Sequence, residues 1–216
     1  MLTKNDKEYI KKGCHDLSNI ISLISGNYQL LEITEPSLKN NSRFRQLGDN
    51  IRMLIDAMAA ISFYRYSDQI NPVIINTTSF IDEVIENVKL RSHTSMLDIT
   101  LNSDGTIPDI KADKVKIPFV IYSLMDNIAD CQSAGSVSVN LTYDDLFVEI
   151  SVSDELPDFD PEILSHIYEP FNSFKSDHIG LSLASSQNIM KAHGGELIRT
   201  ANENGSTFTL RLPIAG

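Results

Sequence analysis

An apolar stripe with the spacing of a coiled-coil seam runs along the N-terminal segment. Successive apolar positions are separated by 4, 3, 4, 3, 4 and 3 residues, at Ile10, Cys14, Leu17, Ile21, Ile24, Tyr28 and Leu31. A repeat of this period keeps one helix face turned toward a partner helix. Pro36, within the polar stretch 35–41, ends this helix. A second seam then follows at Leu47, Ile51, Leu54, Met58 and Ile61, so the sequence predicts a helical hairpin.

Two helices bury little apolar surface on their own. We therefore expect the hairpin to pair with a second copy of the chain, which gives a homodimeric four-helix bundle. The alternative is that the seams pack onto the C-terminal part of the same chain.

The distribution of charge separates the chain into two parts. Residues 1–70 hold 9 Lys+Arg and 8 Asp+Glu, a net charge of 9 − 8 = +1, whereas residues 71–216 hold 9 and 21, a net charge of 9 − 21 = −12. The apolar pattern also changes near Asp68–Pro72. We expect a dimerising helical hairpin over 1–70 and a second domain over 71–216.

Composition excludes several classes of protein. The acidic balance of −11 argues against nucleic-acid binding, which needs a clustered basic face. The two cysteines, Cys14 and Cys131, are far apart and have no metal-ligand spacing, so neither a disulfide framework nor a metal site is expected. There is no apolar run of about 18 residues and no apolar core at the N-terminus. We expect a cytoplasmic protein that makes no membrane contact.

The pattern over 71–216 predicts an α+β fold, a two-layer α/β sandwich with helices on one face of a mixed, largely antiparallel sheet. Thr77, Thr78 or Ser79 offers an N-cap for the first helix, Asp113 caps the second, and His193 suits a helix end as a cation. The predicted strands are 73–76, 99–102, 137–141, 147–152, 196–201 and 206–212, and the predicted helices cover 77–90, the segment after 113, and about 183–192.

His15 is the first candidate for chemistry. It lies beside the core positions of the first seam and therefore faces water, with Asp16 next to it and Asn19 one helical turn later. An exposed imidazole can accept a phosphoryl group if it is kept neutral and oriented. The carboxylate could orient one ring nitrogen, and the amide could position a water or a phosphoryl oxygen. A lone histidine on a helix surface is otherwise usually only solvated.

The motifs together resemble the catalytic core of two-component histidine kinases. His15-Asp16-Leu17-Ser18-Asn19 resembles the H-box, which opens a hairpin of this kind. Further matches follow in family order, at Ser123–Asp130 (N-box), Asp154 (the adenine-binding aspartate of the first glycine box), Ile167–Phe171 (F-box), Gly180–Leu183 (second glycine box), and the closing segments 191–195 and 205–213. The resemblance covers nearly the whole chain and implies a dimeric hairpin followed by a GHKL-type ATPase domain.

The sequence departs from this family where ATP would bind. Asn127 is kept, but Ser123 replaces its partner asparagine and Asp130 stands where a basic residue is common. Residues 155–159 contain no glycine, and Gly180 is one of three expected glycines. We therefore expect ATP binding to be lost and no cofactor to be needed. If binding were retained, the cofactor-binding residues would be Asn127, Asp154 and Gly180.

With the histidine kept and the ATP site eroded, the chain resembles the ChpT-type histidine phosphotransferases, notably at Cys14–Leu17 and Phe63–Arg65. This resemblance implies transfer of a phosphoryl group between receiver-domain aspartates through His15, with Mg²⁺ bound by the receiver. Lys11 and Lys12 suit an acidic receiver surface. The implied catalytic residues are His15, Asp16 and Asn19. Two alternatives remain, an ATP-dependent sensor histidine kinase core and a non-catalytic scaffold that only docks receivers.

Overall fold

The computed structural model describes residues 4–103, 105–132, 134–155, 164–173, 179–202 and 205–215. It forms two compact units, one built on the N-terminal helices and the other on the strands and helices from Tyr66 onward. Among the described residues no helix is both long and apolar enough to cross a bilayer.

The first unit is the predicted helical hairpin. Helix α1 spans Lys4–Thr34, a short 3-10 helix spans Pro36–Asn40, and α2 spans Ser42–Arg65. The side chain of Asn41 caps α2, because its Oδ1 accepts the N–H of Arg43 at 2.9 Å. The rings of Tyr28 and Phe44 stack between the helices with their centroids 4.5 Å apart.

The seams of this hairpin are only partly covered. Ile21 and Ile51 are buried, but Leu17 is 52% exposed and Leu54 is 46% exposed. Other apolar side chains on the two helices are equally open, among them Ile20, Leu23, Leu30, Ile33 and Met53. A surface this apolar is unusual for a protein that remains alone in water.

The second unit is built on a five-stranded mixed sheet with the order β2-β4-β5-β7-β6. Only the β2–β4 pair is parallel. The strands are β1 Val73–Ile75, β2 Leu97–Ser103, β3 Ile110–Ala112, β4 Gly135–Tyr143, β5 Phe147–Asp154, β6 Glu196–Asn202 and β7 Gly205–Pro213, and the helices are α3 Thr77–Leu90, α4 Lys116–Cys131 and α5 Ser182–Ala192. Strand β3, which the sequence did not predict, pairs with β1 in a separate two-stranded sheet.

One face of the large sheet is apolar and buried, as the α+β sandwich prediction requires. Val139 on β4 and Ile150 on β5 are fully buried, as are Ile121 and Leu124 on α4. The opposite face is polar, and a row of hydroxyl side chains crosses all five strands in register, at Thr100, Ser138, Ser153, Thr207 and Thr200. This alternation is that of a sheet with helices on one side.

The capping prediction for α3 was wrong. Asn76 caps the helix, because its side-chain oxygen accepts the N–H of Ser79 at 3.1 Å. Thr77 is instead buried, and its hydroxyl donates to the carbonyl of Pro108 at 2.6 Å. The N-cap residue is therefore one position before the first of the three hydroxyl residues that the sequence suggested.

The interpretation of His193 as a cation was also wrong. The ring is buried, its Nδ1 lies 2.7 Å from the carbonyl oxygen of Ile189, and its Nε2 accepts the backbone N–H of Asp113 at 2.9 Å. A nitrogen that accepts a hydrogen bond carries no proton, so this network assigns the neutral ring with its proton on Nδ1.

The residue at the N-cap of α4 is Val115, two residues after the predicted cap, Asp113, but the carboxylate of Asp113 still binds the start of the helix. Oδ1 of Asp113 accepts the N–H groups of Val115 and Lys116 at 2.8 and 3.0 Å, and Oδ2 accepts that of Asn71 at 2.7 Å. Burial raises the pKa of Asp113, but these backbone hydrogen bonds outweigh it and lower the pKa below its ordinary value.

Candidate functional site

His15 lies on the solvent side of α1. Its side chain is 73% exposed, with Oδ1 of Asp16 at 3.6 Å from Nδ1 and the amide nitrogen of Asn19 at 3.3 Å from the same Nδ1. The three residues proposed from the sequence therefore meet around one imidazole. Both neighbours lie on the Nδ1 side, so Nε2 is on the far side of the ring.

Nucleophilic attack by Nε2 needs the proton on Nδ1, with an acceptor beside it. Oδ1 of Asp16, at 3.6 Å, is beyond hydrogen-bond distance and could accept this proton only after a closer approach. Asn19 becomes an acceptor when its amide is turned so that the oxygen faces the ring. In the structure the amide nitrogen of Asn19 faces the ring. In this orientation Asn19 donates to Nδ1, and the proton of the neutral ring lies on Nε2. Asn19 can thus select between the nucleophilic and non-nucleophilic tautomers.

Asn127, in the N-box-like segment, is half-buried on α4 between two acidic neighbours, Asp126 and Asp130. Nη2 of Arg91 lies 2.9 Å from Oδ2 of Asp126, and Nε2 of His93 lies 2.8 Å from Oδ1 of Asp130. The guanidinium group of Arg91 also lies over the ring of Tyr122, another residue of α4, at 4.9 Å from the ring centroid. Arg91 and His93 both lie in the loop between α3 and β2, and nothing in the sequence pairs them with α4.

Asp154 ends β5 and is 9% exposed. Its Oδ2 accepts the hydroxyl of Ser206, which is opposite it on β7, at 3.0 Å. Gly205 has φ +147°, and a Cβ there would overlap the carbonyl oxygen of Asp154. This close approach requires glycine at position 205. Ser206 was absent from the predicted site, although its place in the family-like closing hairpin was a usable signal.

The F-box-like segment carries backbone strain. Phe171 has φ +65°, which is rare for an aromatic residue, and its N–H donates to the carbonyl of Gly180 at 3.0 Å. Gly180 also has a positive φ, and a Cβ there would overlap the backbone of Asn172. Close by in the chain, burial raises the pKa of Tyr168 to about 12, and His166 pairs with Glu169 at 2.9 Å.

The residues proposed for nucleotide binding lie on three separate elements. Asn127 is on α4, Asp154 ends β5, and Gly180 precedes α5. Among the described residues no cluster of three or more His, Cys, Asp or Glu side chains could hold a metal ion. Ser123 is buried in α4. The carboxylate of Asp154 and the hydroxyl of Ser206 could together hydrogen-bond a ligand.

Residues 112–216 match the family described as "Histidine kinase-, DNA gyrase B-, and HSP90-like ATPase". Signal transduction histidine-protein kinase AtoS of Escherichia coli (strain K12) is 28% identical over 206 residues, covering 93% of this chain and 33% of AtoS. Sensory histidine kinase/phosphatase NtrB of Rhizobium meliloti (strain 1021) is 25% identical over 221 residues, covering 93% of this chain and 56% of NtrB. The chain thus spans only a part of the length of these relatives.

Solved structures show the same fold. Full-length ShkA in complex with AMPPNP superposes with a TM-score of 0.82 at 21% identity, covering 96% of this chain and 46% of ShkA. Histidine kinase ThkA in complex with response regulator protein TrrA gives 0.67 at 20% identity, covering 96% and 61%. The family match and the sequence relatives support a histidine kinase-type signalling protein, in which residues 112–216 are the ATPase-like part.

Proposed function

We propose that the chain is a histidine phosphotransferase that passes a phosphoryl group between receiver-domain aspartates through His15. The observation that carries the proposal is the exposed imidazole whose two polar neighbours both lie on Nδ1. When the oxygen of Asn19 is turned toward Nδ1, the ring carries its proton there and keeps the lone pair of Nε2 available to an incoming protein. Asp16 orients the ring, and Asn19 adjusts its tautomer.

The proposed step is the direct transfer of a phosphoryl group from a receiver aspartate to His15. Nε2 of His15 attacks the phosphorus of a receiver aspartyl phosphate, so that an N–P bond forms while the acyl P–O bond breaks and the receiver carboxylate leaves. The proton on Nδ1 stays on the ring, where the carboxylate of Asp16 stabilises the positive charge that develops. Mg²⁺ belongs to the receiver in this scheme, and the reverse step recharges a receiver.

The proposed partners are receiver domains of response regulators and a second copy of the chain. A receiver partner is supported by the likeness to ThkA, whose structure contains a response regulator protein. The homodimeric four-helix bundle is supported by the open seam residues, Leu17 and Leu54 among them.

A second candidate is an ATP-dependent histidine kinase core that labels itself on His15. The family match over 112–216 and the kinase names of the relatives favour it. In that case Asn127, Asp154 and Gly180 would contact the nucleotide.

One experiment separates these functions. The full chain is incubated in parallel with labelled ATP and with a labelled, phosphorylated receiver, and acid-labile label on the chain is measured. Label from the receiver alone supports the phosphotransferase, and label from ATP supports the kinase. An unlabelled chain in both arms would leave only a docking scaffold. His15→Ala is the control, and it should remain unlabelled in either arm.

A further inference from the structure

We propose that residues 66–72, which connect α2 to β1, form a strap that is latched onto the second unit and can be released without unfolding that unit. In the latched state the strap is part of the second unit, which begins at Tyr66. In the released state it is a free tether between the hairpin and the second unit. The strap contains none of the residues assigned to phosphotransfer, so its test does not depend on that function.

The first anchor of the strap is Ser67. This residue is completely buried, although its two neighbours, Tyr66 and Asp68, are both exposed. Its hydroxyl oxygen accepts a hydrogen bond from the side-chain amide of Asn188 on α5 at 3.1 Å, across 121 positions of the sequence. A buried polar side chain is costly unless it is hydrogen-bonded, so the amide of Asn188 favours the latched state.

Further hydrogen bonds fasten the strap to the segment that begins α4. Nζ of Lys116 donates to the carbonyl oxygen of Tyr66 at 2.9 Å. Near the other end of the strap, the N–H of Asn71 donates to Oδ2 of Asp113 at 2.7 Å. The strap is therefore held close to both of its ends as well as at Ser67.

The anchors of the strap converge on α5. Nε2 of His193, at the end of this helix, accepts the backbone N–H of Asp113 at 2.9 Å, and its Nδ1 donates to the carbonyl of Ile189 at 2.7 Å. The strap is thus tied to α5 directly through Asn188 and indirectly through Asp113 and His193. The position of α5 therefore decides whether the strap stays latched.

The latch is weak enough to open while the unit stays folded. Its hydrogen bonds are replaced by bonds to water when the strap is released, so each contributes little net free energy. Segments held in this way open more easily than the core of a domain. Once released, the seven residues 66–72 can span up to about 23–25 Å. Release therefore lengthens the connection that joins the hairpin to the second unit.

The test is hydrogen exchange of the full chain, read by mass spectrometry. In the wild type the strap amides should exchange at least about tenfold more slowly than in an unstructured peptide of the same sequence. Asn188→Ala should raise their exchange rates by about three- to tenfold, the value of one hydrogen bond, and leave peptides from β5 and β7 unchanged. Wild-type exchange at the free-peptide rate would overturn the proposal, as would unchanged strap rates in the variant.

A double-variant comparison ties the effect to the proposed pair. Ser67→Ala combined with Asn188→Ala should exchange no faster in the strap than the faster of the two single variants, because both changes remove the same hydrogen bond. Fully additive effects would overturn the pairing. Gln187→Ala is the matched control and should leave the strap unchanged, because this neighbour of Asn188 accepts a hydrogen bond from Lys191 within α5, at 3.1 Å.

A variant outside α5 keeps the test decisive if Asn188→Ala destabilises the whole unit. Lys116→Met removes the ammonium group that binds the carbonyl of Tyr66 and keeps the apolar stem of the side chain. It should also raise exchange in the strap by about three- to tenfold while β5 and β7 stay protected. Strap rates equal to those of the wild type would overturn the latch.

Discussion

At the residue scale, the chemistry proposed for the hairpin depends on one exposed imidazole. His15→Ala should abolish uptake of label from a phosphorylated receiver, because no nucleophilic nitrogen remains. The fold should be unaffected, since the side chain is 73% exposed and such substitutions usually change stability by less than about 0.5 kcal/mol. Transfer is measured by separating the two proteins on a gel, and continued labelling of the variant would move the acceptor to another residue.

Asn19→Ala tests positioning separately from chemistry. Its amide contacts Nδ1 and not the nitrogen that we propose attacks phosphorus. We expect label still to appear on His15, with the rate of transfer or of phosphate loss lowered by about tenfold, the value of one oriented hydrogen bond. The readout is the time course of the same gel assay. A variant that takes up no label would make Asn19 as essential as the histidine.

Asp113 gives a prediction about stability and pH. Its carboxylate accepts three backbone hydrogen bonds and its pKa is lowered from 3.8. A carboxylate whose pKa is lower in the folded state than in the unfolded state stabilises the fold at pH values above its unfolded pKa. This contribution is lost as the pH falls through the folded pKa. Asp113→Asn should therefore lower the free energy of unfolding by about 1–2 kcal/mol at pH 7 and by less below about pH 4. Urea unfolding measures this, with exposed Asp98→Asn as the control.

At the element scale, the seams predict how the chain associates. Ile21 is buried within a single hairpin, so Ile21→Glu tests folding and dimerisation together, whereas Leu54 is 46% exposed and reports on the second copy. Leu54→Glu should bury a charge at the centre of the bundle, cost several kcal/mol and give a monomer by light scattering. Gln46→Glu, outside the seam of the same helix, should stay dimeric. A wild-type monomer at micromolar concentration would remove the four-helix bundle from the proposal.

The hairpin β6–β7 depends on the backbone of Gly205. Alanine at this position would be strained at φ +147° and its Cβ would overlap the carbonyl of Asp154. We expect Gly205→Ala to lower the free energy of unfolding by about 1–3 kcal/mol. Gly26→Ala is the contrasting change, because a Cβ in that helix meets open space and should stabilise by about 0.5–1 kcal/mol. Equal effects of the two substitutions in urea unfolding would contradict this account.

The elements that periodicity specifies were predicted from sequence, and the contacts between distant segments were not. The seams and the alternating strands are local patterns, and the i, i+4 spacing likewise predicts the contact between His15 and Asn19 that the structure contains. Strand β3 is three residues long, so its alternation of buried and exposed residues is too short to predict a strand. The Arg91–Asp126 pair joins positions 35 residues apart, and His193 accepts a hydrogen bond from a residue 80 positions away. Only the folded chain determines such partners.

At the scale of the whole molecule, the uneven distribution of charge along the chain favours one segment for contact with an acidic partner. The hairpin segment has a net charge of +1 and the remainder −12, so the proposed receiver partner, if its surface is acidic, would be repelled less by the hairpin than by the rest of the chain. Lys12, exposed one turn before His15, lies on that approach. Its charge should act on association more than on the chemical step.

Lys12→Glu should therefore slow transfer from a phosphorylated receiver by about three- to tenfold at low salt. The difference in rate between the variant and the wild type should shrink as the ionic strength rises toward about 1 M, because the screening length falls to about 3 Å there. The matched control is Lys114→Glu, which makes the same change in net charge at an exposed position of the second unit. Transfer rates for both variants are measured across a salt series at limiting receiver concentration. Equal slowing by the two substitutions would mean that net charge alone governs the encounter. A salt-independent defect in Lys12→Glu would instead assign this lysine to the chemical step.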